Sequence, residues 1–205
     1  MKKIIDLSCE IMDRMPVYPG DEEVRVFEDR TLDKDQYYNT RVEVGMHIGT
    51  HIDAPRHLIY NGKYINEYNL EAFIGNGCLL DVRGEEIITM KDEYNDVIKE
   101  ADIVLLYTGF GDKYGSDIYY KDSPVIDIKM AEFLVQKKIK MVGMDMPSPD
   151  KYPFQIHKLL FENDVFVLEN LTNLHELINV EKFEVIALPL SIKAEAAIVR
   201  AIARI

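Results

Sequence analysis

His47-Ile48-Gly49-Thr50-His51-Ile52-Asp53-Ala54-Pro55-Arg56-His57 is the stretch on which the reading of this chain turns. It carries three of the five histidines together with a carboxylate. Neutral imidazole and carboxylate suit Zn²⁺, Mn²⁺ or Fe²⁺, and a mononuclear catalytic site needs about three such ligands with one position open to water. His47, Gly49, His51, Asp53 and His57 share one parity, and residues 41–46 ahead of them alternate polar with apolar, the period of a half-buried strand. Continued straight, that strand would set His47 and His51 about 13 Å apart, the limit for two side chains sharing one ion. The chain must therefore bend between them, and Gly49 is free to take the backbone angles a bend requires. A helix would also bring residues four apart to one face. Gly49, the β-branched Ile48, Thr50 and Ile52, and Pro55 all oppose it. The expectation is a strand ending in a tight bend where the ligands converge. One histidine on an alternating strand is ordinarily a packed core residue; three of one parity beside an aspartate reverse that reading.

Composition sets limits. The 205 residues suffice for one domain, 1–205, with a full core. A net charge of −12 without a Lys/Arg stripe argues against a nucleic-acid partner. Trp is absent, while 12 Tyr and 8 Phe can furnish an aromatic pocket. Cys9 and Cys78 are too few and too far apart for a disulfide framework or a CxxC metal site. They read as two reduced, largely buried thiols of a cytoplasmic protein. Lys2-Lys3 before Ile4-Ile5 has the look of a signal peptide's start, but Asp6, Glu10 and Asp13 interrupt any apolar region. No apolar run approaches the roughly 18 residues of a membrane span. A soluble, cytoplasmic protein with no membrane partner is expected.

Strand-like runs recur at 3–7, 24–27, 37–46, 77–81, 103–106, 141–143, 165–168, 185–188 and 197–203. Helical patterning is clearest at 128–138, with Asp127 as N-cap and Met130, Leu134 and Val135 on the apolar face. A shorter helix at 154–163 turns Ile156, Leu159 and Leu160 inward. Strands dominate the first half and alternate with helices in the second, which predicts a mixed α/β domain with antiparallel and parallel sections. Two further ligand candidates follow. His157 sits in the short helix, and Glu169 closes the apolar run Val165-Phe166-Val167-Leu168, where α/β proteins tend to place site residues. Taken singly, each also reads as a surface-helix histidine and a solvated strand-end glutamate. His175 lacks such a context and is left structural.

The chain resembles the cyclase / kynurenine formamidase (arylformamidase) family of metal-dependent hydrolases. The core of the resemblance is HxGTHxDxPxH, matched by His47, Gly49, Thr50, His51, Asp53, Pro55 and His57. It extends to Asp6-Leu7-Ser8 and Met15-Pro16-Val17-Tyr18-Pro19-Gly20, then to Val142-Gly143-Met144-Asp145, His157-Lys158-Leu159-Leu160 and Leu168-Glu169-Asn170-Leu171. The resemblance implies that His47, His51 and Asp53 bind one metal, and that Asp53 bridges to a second held by His157 and Glu169. Zn²⁺ is the implied ion, one or two per chain, with Mn²⁺ the alternative; His57 would be the acid/base. It further implies a mixed-sheet, three-layer β/β/α (swivelling-domain-like) fold and a homo-oligomer, dimer or tetramer. The implied reaction is hydrolysis of N-formylkynurenine to kynurenine and formate in tryptophan catabolism, and relatives open cyclic amides such as isatin.

One segment departs from the pattern. Formamidase-like members tend to carry a Gly-rich stretch with Pro before Arg near the C-terminus; here it reads Lys193-Ala194-Glu195-Ala196-Ala197-Ile198-Val199-Arg200. A Gly-rich backbone approaches a ligand more closely than Ala or Glu permits, so a changed substrate pocket is expected. Three readings follow: an arylformamidase acting on a small-molecule amide, a hydrolase of another, cyclic amide, imide or lactone such as isatin, and a metal- or ligand-binding protein without turnover. Retention of His57 beside a complete ligand set disfavours the third.

Overall fold

The computed structural model describes residues 3–98 and 103–205, so Lys2 of the charged opening lies outside the described residues. Thirteen strands are described. They are β1 (Ile4–Asp6), β2 (Arg25–Arg30), β3 (Asn39–Glu43), β4 (His51–Asp53), β5 (Ile74–Asp81), β6 (Ile87–Ile88) and β7 (Ile103–Tyr107). The second half adds β8 (Val125–Ile126), β9 (Met141–Met144), β10 (Phe166–Glu169), β11 (Phe183–Ile186), β12 (Ala196–Ile198) and β13 (Ile202–Arg204). Nine of them form one mixed sheet in the order β1-β13-β11-β5-β7-β9-β10-β4-β12. The run β5-β7-β9-β10 is parallel and both flanks are antiparallel.

Chain length forces this sheet to curl. Only residues 199–201 separate β12 at one end of the sheet from β13, second from the other end. Laid flat, seven strand spacings of about 4.8 Å would part them by about 34 Å. Four residue steps reach at most about 14 Å. The core agrees: Ile5 and Ala203 from one end, Ile52 and Ala197 from the other and Leu105 from the middle share one buried cluster. Strand alternation then builds a second core. In β7, Ile103 and Leu105 enter the inner cluster, whereas Val104 and Leu106 join Met130, Leu134, Ile156 and Leu160 on the outer face. Helices α4 (Ile128–Gln136) and α5 (Gln155–Glu162) carry those last four residues, following the short α1 (Leu32–Asp35), α2 (Tyr94–Val97) and α3 (Asp117–Lys121). Helices, parallel strands and curled-over antiparallel strands make the expected three-layer mixed α/β arrangement.

Two sequence readings are corrected. The run 197–203, read as one strand, is two strands on opposite flanks, because the curl brings those flanks within reach of a three-residue link. The run 37–46 ends as a strand at Glu43, and all five residues of β3 are exposed. Among the described residues it pairs with β2 alone, in a ribbon outside the main sheet, so alternation there buries no face. Val44 leaves the ribbon to pack with Met15, Val24 and Ile48. None of the described helices is long and apolar enough to cross a membrane.

Helix α4 begins where the sequence places it: the Asp127 carboxylate accepts the Met130 backbone N–H at 2.7 Å. Asp127→Ala is expected to cost about 0.5–2 kcal/mol, read as a lower urea midpoint with an unchanged m-value.

Candidate metal centre

Strand β4 lies between β10 and β12, with Glu169 opposite His51 and Val167 opposite Asp53. Ile52 and Leu168 point into the inner cluster. His51, Asp53 and Glu169 therefore face the helix-covered side, where α5 delivers His157. His47 arrives from the turn that precedes β4. Gly49 in that turn sits at φ +52, the bend the ligand spacing demands. His47 Nδ1 lies 2.9 Å from Asp53 Oδ1, and His51 Nε2 lies 3.4 Å from the same oxygen and 3.3 Å from Glu169 Oε2. His157 Nε2 lies 3.5 Å from Glu169 Oε1 and 3.8 Å from Asp53 Oδ2.

Two triads result, His47/His51/Asp53 and Asp53/His157/Glu169, each with its ligand atoms within 4.8 Å of one another. Asp53 serves both. His51 Nε2, Asp53 Oδ1 and His157 Nε2 are buried and have no hydrogen-bond partner. Each such orphan costs about 1–3 kcal/mol, and a divalent cation is the partner that imidazole nitrogens and carboxylate oxygens converging on one point accept together. The residues fit a divalent metal ion.

The other ring nitrogens are fixed from outside. His51 Nδ1 donates to the Gly49 carbonyl at 2.9 Å, which turns Nε2 toward the carboxylates. His157 Nδ1 is 2.6 Å from Asp150 Oδ1, and His47 Nε2 is 3.4 Å from Glu195 Oε1. His57 closes the 3-10 turn Pro55–His57, its ring centroid 4.3 Å from that of His47 and 6.1 Å from that of His157. Gly62 holds that turn in place, since a Cβ there would come within 2.4 Å of the Pro55 carbonyl carbon.

Electrostatics separates the four imidazoles. Burial alone would push His51 down, but the Asp53 and Glu169 carboxylates outweigh it and hold its pKa up at about 10. His157 is raised well above the ordinary range, as Asp150, Asp53 and Glu169 overcome its burial. Asp53 falls well below the ordinary carboxylate range; burial opposes this, and the charges of His47 and His51 prevail. His57 moves the other way. Burial lowers its pKa, the Asp53 carboxylate resists, and His47 and His157 push it down further. A lowered pKa leaves the His57 imidazole readier to be neutral than its three neighbours.

The centre opens into a cavity of about 230 Å³ lined by Tyr18, Tyr114, Tyr120 and Phe154, with Asp21 in the lining and, among the described residues, neither Lys nor Arg. Tyr18 and Tyr120 meet edge to face at 5.8 Å, and Tyr114 donates to the Pro16 carbonyl at 3.0 Å.

All six predicted site residues, His47, His51, Asp53, His57, His157 and Glu169, come together here. His157 and Glu169 are 3 % and 5 % exposed, which corrects their reading as a surface-helix histidine and a solvated glutamate. His175 is exposed in a separate 3-10 turn. Asp145, quoted for the resemblance, accepts the Thr108 N–H and hydroxyl and the Gly109 N–H, and so fastens the loop after β7. No residue of 193–200 lines the cavity; that segment supplies β12 and the Glu195 carboxylate. Sequence reasoning missed Asp150 and Glu195. Asp150 caps α5 from six residues before Ile156, outside the local spacing of cap rules.

The Cyclase family model matches residues 5–151. The chain belongs to the Cyclase family. This cyclase-family chain is 29% identical over 206 residues to a kynurenine formamidase of Bacillus cytotoxicus, covering 98% of itself and 96% of that protein. Among solved structures it resembles a potential metal-dependent hydrolase with cyclase activity, at TM-score 0.81 and 26% identity, over 100% of this chain and 98% of that one. An isatin hydrolase bound to the product analogue thioisatinate shares the fold at TM-score 0.88 and 21% identity, over 100% and 92% of the two chains.

Protons and a cation compete for the same lone pairs in this centre. Because His51 holds its proton up to about 10, binding must displace it, and affinity must rise with pH across the range below that value. Calorimetric titration with Zn²⁺ in buffers of different ionisation enthalpy is expected to show proton release on binding. An affinity flat or falling between about pH 6 and 8 would contradict this electrostatic assignment.

Proposed function

We propose that this protein is a metal-dependent hydrolase of a non-peptide amide bond, with N-formylkynurenine as the leading substrate and kynurenine and formate as products. The observation that carries this reading is the pair of cation triads sharing Asp53, with the neutral base His57 on their cavity side. His47, His51 and Asp53 hold one ion, and Asp53, His157 and Glu169 hold the second. Zn²⁺ is the favoured occupant and Mn²⁺ the alternative, since nitrogen and oxygen ligands serve both and affinity favours zinc. A cation bound there supplies polarisation of the amide carbonyl and acidification of a water molecule.

The chain's own residues do the rest. His57 takes the proton of the attacking water and returns it to the departing nitrogen, a role worth about 10²–10⁴-fold. The Tyr18, Tyr114, Tyr120 and Phe154 rings flank an aryl group and thin the water around it. The kynurenine formamidase likeness supports the open formamide as substrate. One observation favours a second reading, ring opening of a cyclic amide such as isatin. Among the described residues a substrate carboxylate meets no Lys or Arg in the cavity lining, and neutral isatin needs none.

We assign residues 1–205 to one hydrolase domain acting in the cytoplasm, consistent with Cys9 and Cys78 being free thiols. A homodimer is the proposed assembly, supported by the exposed Leu32, Tyr37, Tyr38 and Val42 on and beside the β2–β3 ribbon.

The deciding assay compares N-formylkynurenine and isatin with the metal-free, Zn²⁺-loaded and Mn²⁺-loaded protein. Metal-dependent turnover of the formamide supports the leading reading, turnover of isatin alone moves the assignment to ring opening, and failure on every amide and lactone leaves a binding protein. His57→Ala is expected to retain metal and lose about 10²–10⁴-fold in kcat. Loss of its metal would make His57 a ligand instead. Asp53→Ala is expected to lose both ions, as read by elemental analysis.

A further inference from the structure

We infer that Asp150 is a positioning residue for the cation ligand His157, and that it sets the affinity of the Asp53/His157/Glu169 triad selectively. The inference rests on the proposed reading of His157 as a ligand. His157 is the one member of either triad carried by a helix, so its aim depends on how α5 is seated. Asp150 controls both the seat and the aim. Its Oδ2 accepts the Ile156 N–H at 2.6 Å and the His157 N–H at 3.4 Å, while its Oδ1 lies 2.6 Å from His157 Nδ1. Asp150 is itself only 7 % exposed, and the Ser148 hydroxyl donates to its carbonyl at 2.7 Å. One buried carboxylate thus orders the first turn of α5 and keeps the proton on Nδ1. His157 Nε2 is thereby aimed between Asp53 and Glu169, where it has no hydrogen-bond partner.

The other two imidazoles are held differently. His51 has a neutral carbonyl behind it at 2.9 Å, and His47 has Glu195, 40% exposed, at 3.4 Å. An ionised acceptor behind a histidine orients the ring and makes it a better donor, and losing such a partner typically weakens metal binding about 10–100-fold. Because Asp150 touches only His157 among the ligands, the loss should fall on one cation equivalent and spare the one held by His47, His51 and Asp53.

Co²⁺ titration of the metal-free full chain, followed by calorimetry and visible absorption, tests this with Asp150→Ala, Asp150→Asn and His157→Ala. In Asp150→Ala one equivalent should weaken about 10–100-fold while the other stays within a few-fold of wild type. Asp150→Asn keeps one oxygen but turns an amide NH2 on the other donor, so the same equivalent should weaken there too. His157→Ala should lose the same equivalent. Unchanged binding in Asp150→Ala, equal weakening of both equivalents, or an Asn variant that binds like wild type would overturn the proposal. If His157→Ala keeps both equivalents, the ligand reading itself fails and takes this proposal with it. If only His157→Ala loses an equivalent, that reading stands and Asp150 is structural.

Discussion

Two carboxylates buried side by side on neighbouring strands are the constraint around which this protein is organised. Asp53 and Glu169 are 1 % and 5 % exposed. Taking one such ion out of water costs several kcal/mol even after the protein relaxes. Among the described residues the cavity lining offers neither Lys nor Arg to offset that cost. Positive charge must come from the imidazoles as protons or from a cation they hold in common, and the geometry serves both. Stability and chemistry are therefore coupled at one point. The groups that make the site expensive to fold are the groups that give it a use.

That cost is met by backbone that few sequences can adopt. Gly49 and Asn170, at the ends of adjoining segments, both take left-handed angles, φ +52 and φ +56. Their groups interlock. The Gly49 carbonyl accepts from His51 Nδ1 and from the Asn170 amide, and the Asn170 carbonyl accepts the Thr50 hydroxyl at 2.7 Å and the Cys9 thiol at 3.2 Å. The Asn170 side-chain oxygen then receives the Tyr119 hydroxyl at 2.6 Å. Through this chain of contacts the metal ligands, the N-terminal segment and the aromatic wall near α3 share one register. Motif glycine and asparagine are thus as much a part of the centre as the histidines.

How much of this was legible follows from how local each cause is. The His47–His57 segment declared both its chemistry and its bend, because ligand spacing and a glycine suffice to argue them. Asp127 likewise announced α4, since a cap acts over three residues. The curl of the sheet was not legible. It depends on β12 and β13 pairing with different partners, and period-two alternation across 197–203 carries no information about partners. The burial of His157 and Glu169 was hidden for the same reason: each looks solvated until β4 and α5 are brought together. Asp150 lay further out of reach, acting on a helix from six residues away.

The departing C-terminal segment shows how a sequence difference can sit close to a site and still miss its pocket. The expectation was that Ala and Glu in place of glycines would reshape substrate binding. Instead Ala196 and Ile198 pair with Asp53 and His51 across β4, and their side of the strand contributes to the ligands' scaffold. Only Glu195 reaches the centre, and it does so behind His47, away from the cavity. The opposite wall is built from Tyr18, Tyr114, Tyr120 and Phe154, with Asp21 beside them. Aromatic faces of that kind pack against flat groups, while their hydroxyl edges and the Asp21 carboxylate set the polarity of the wall. The two halves of the cavity thus differ in kind: side chains that could hold a cation on one side, aromatic rings on the other.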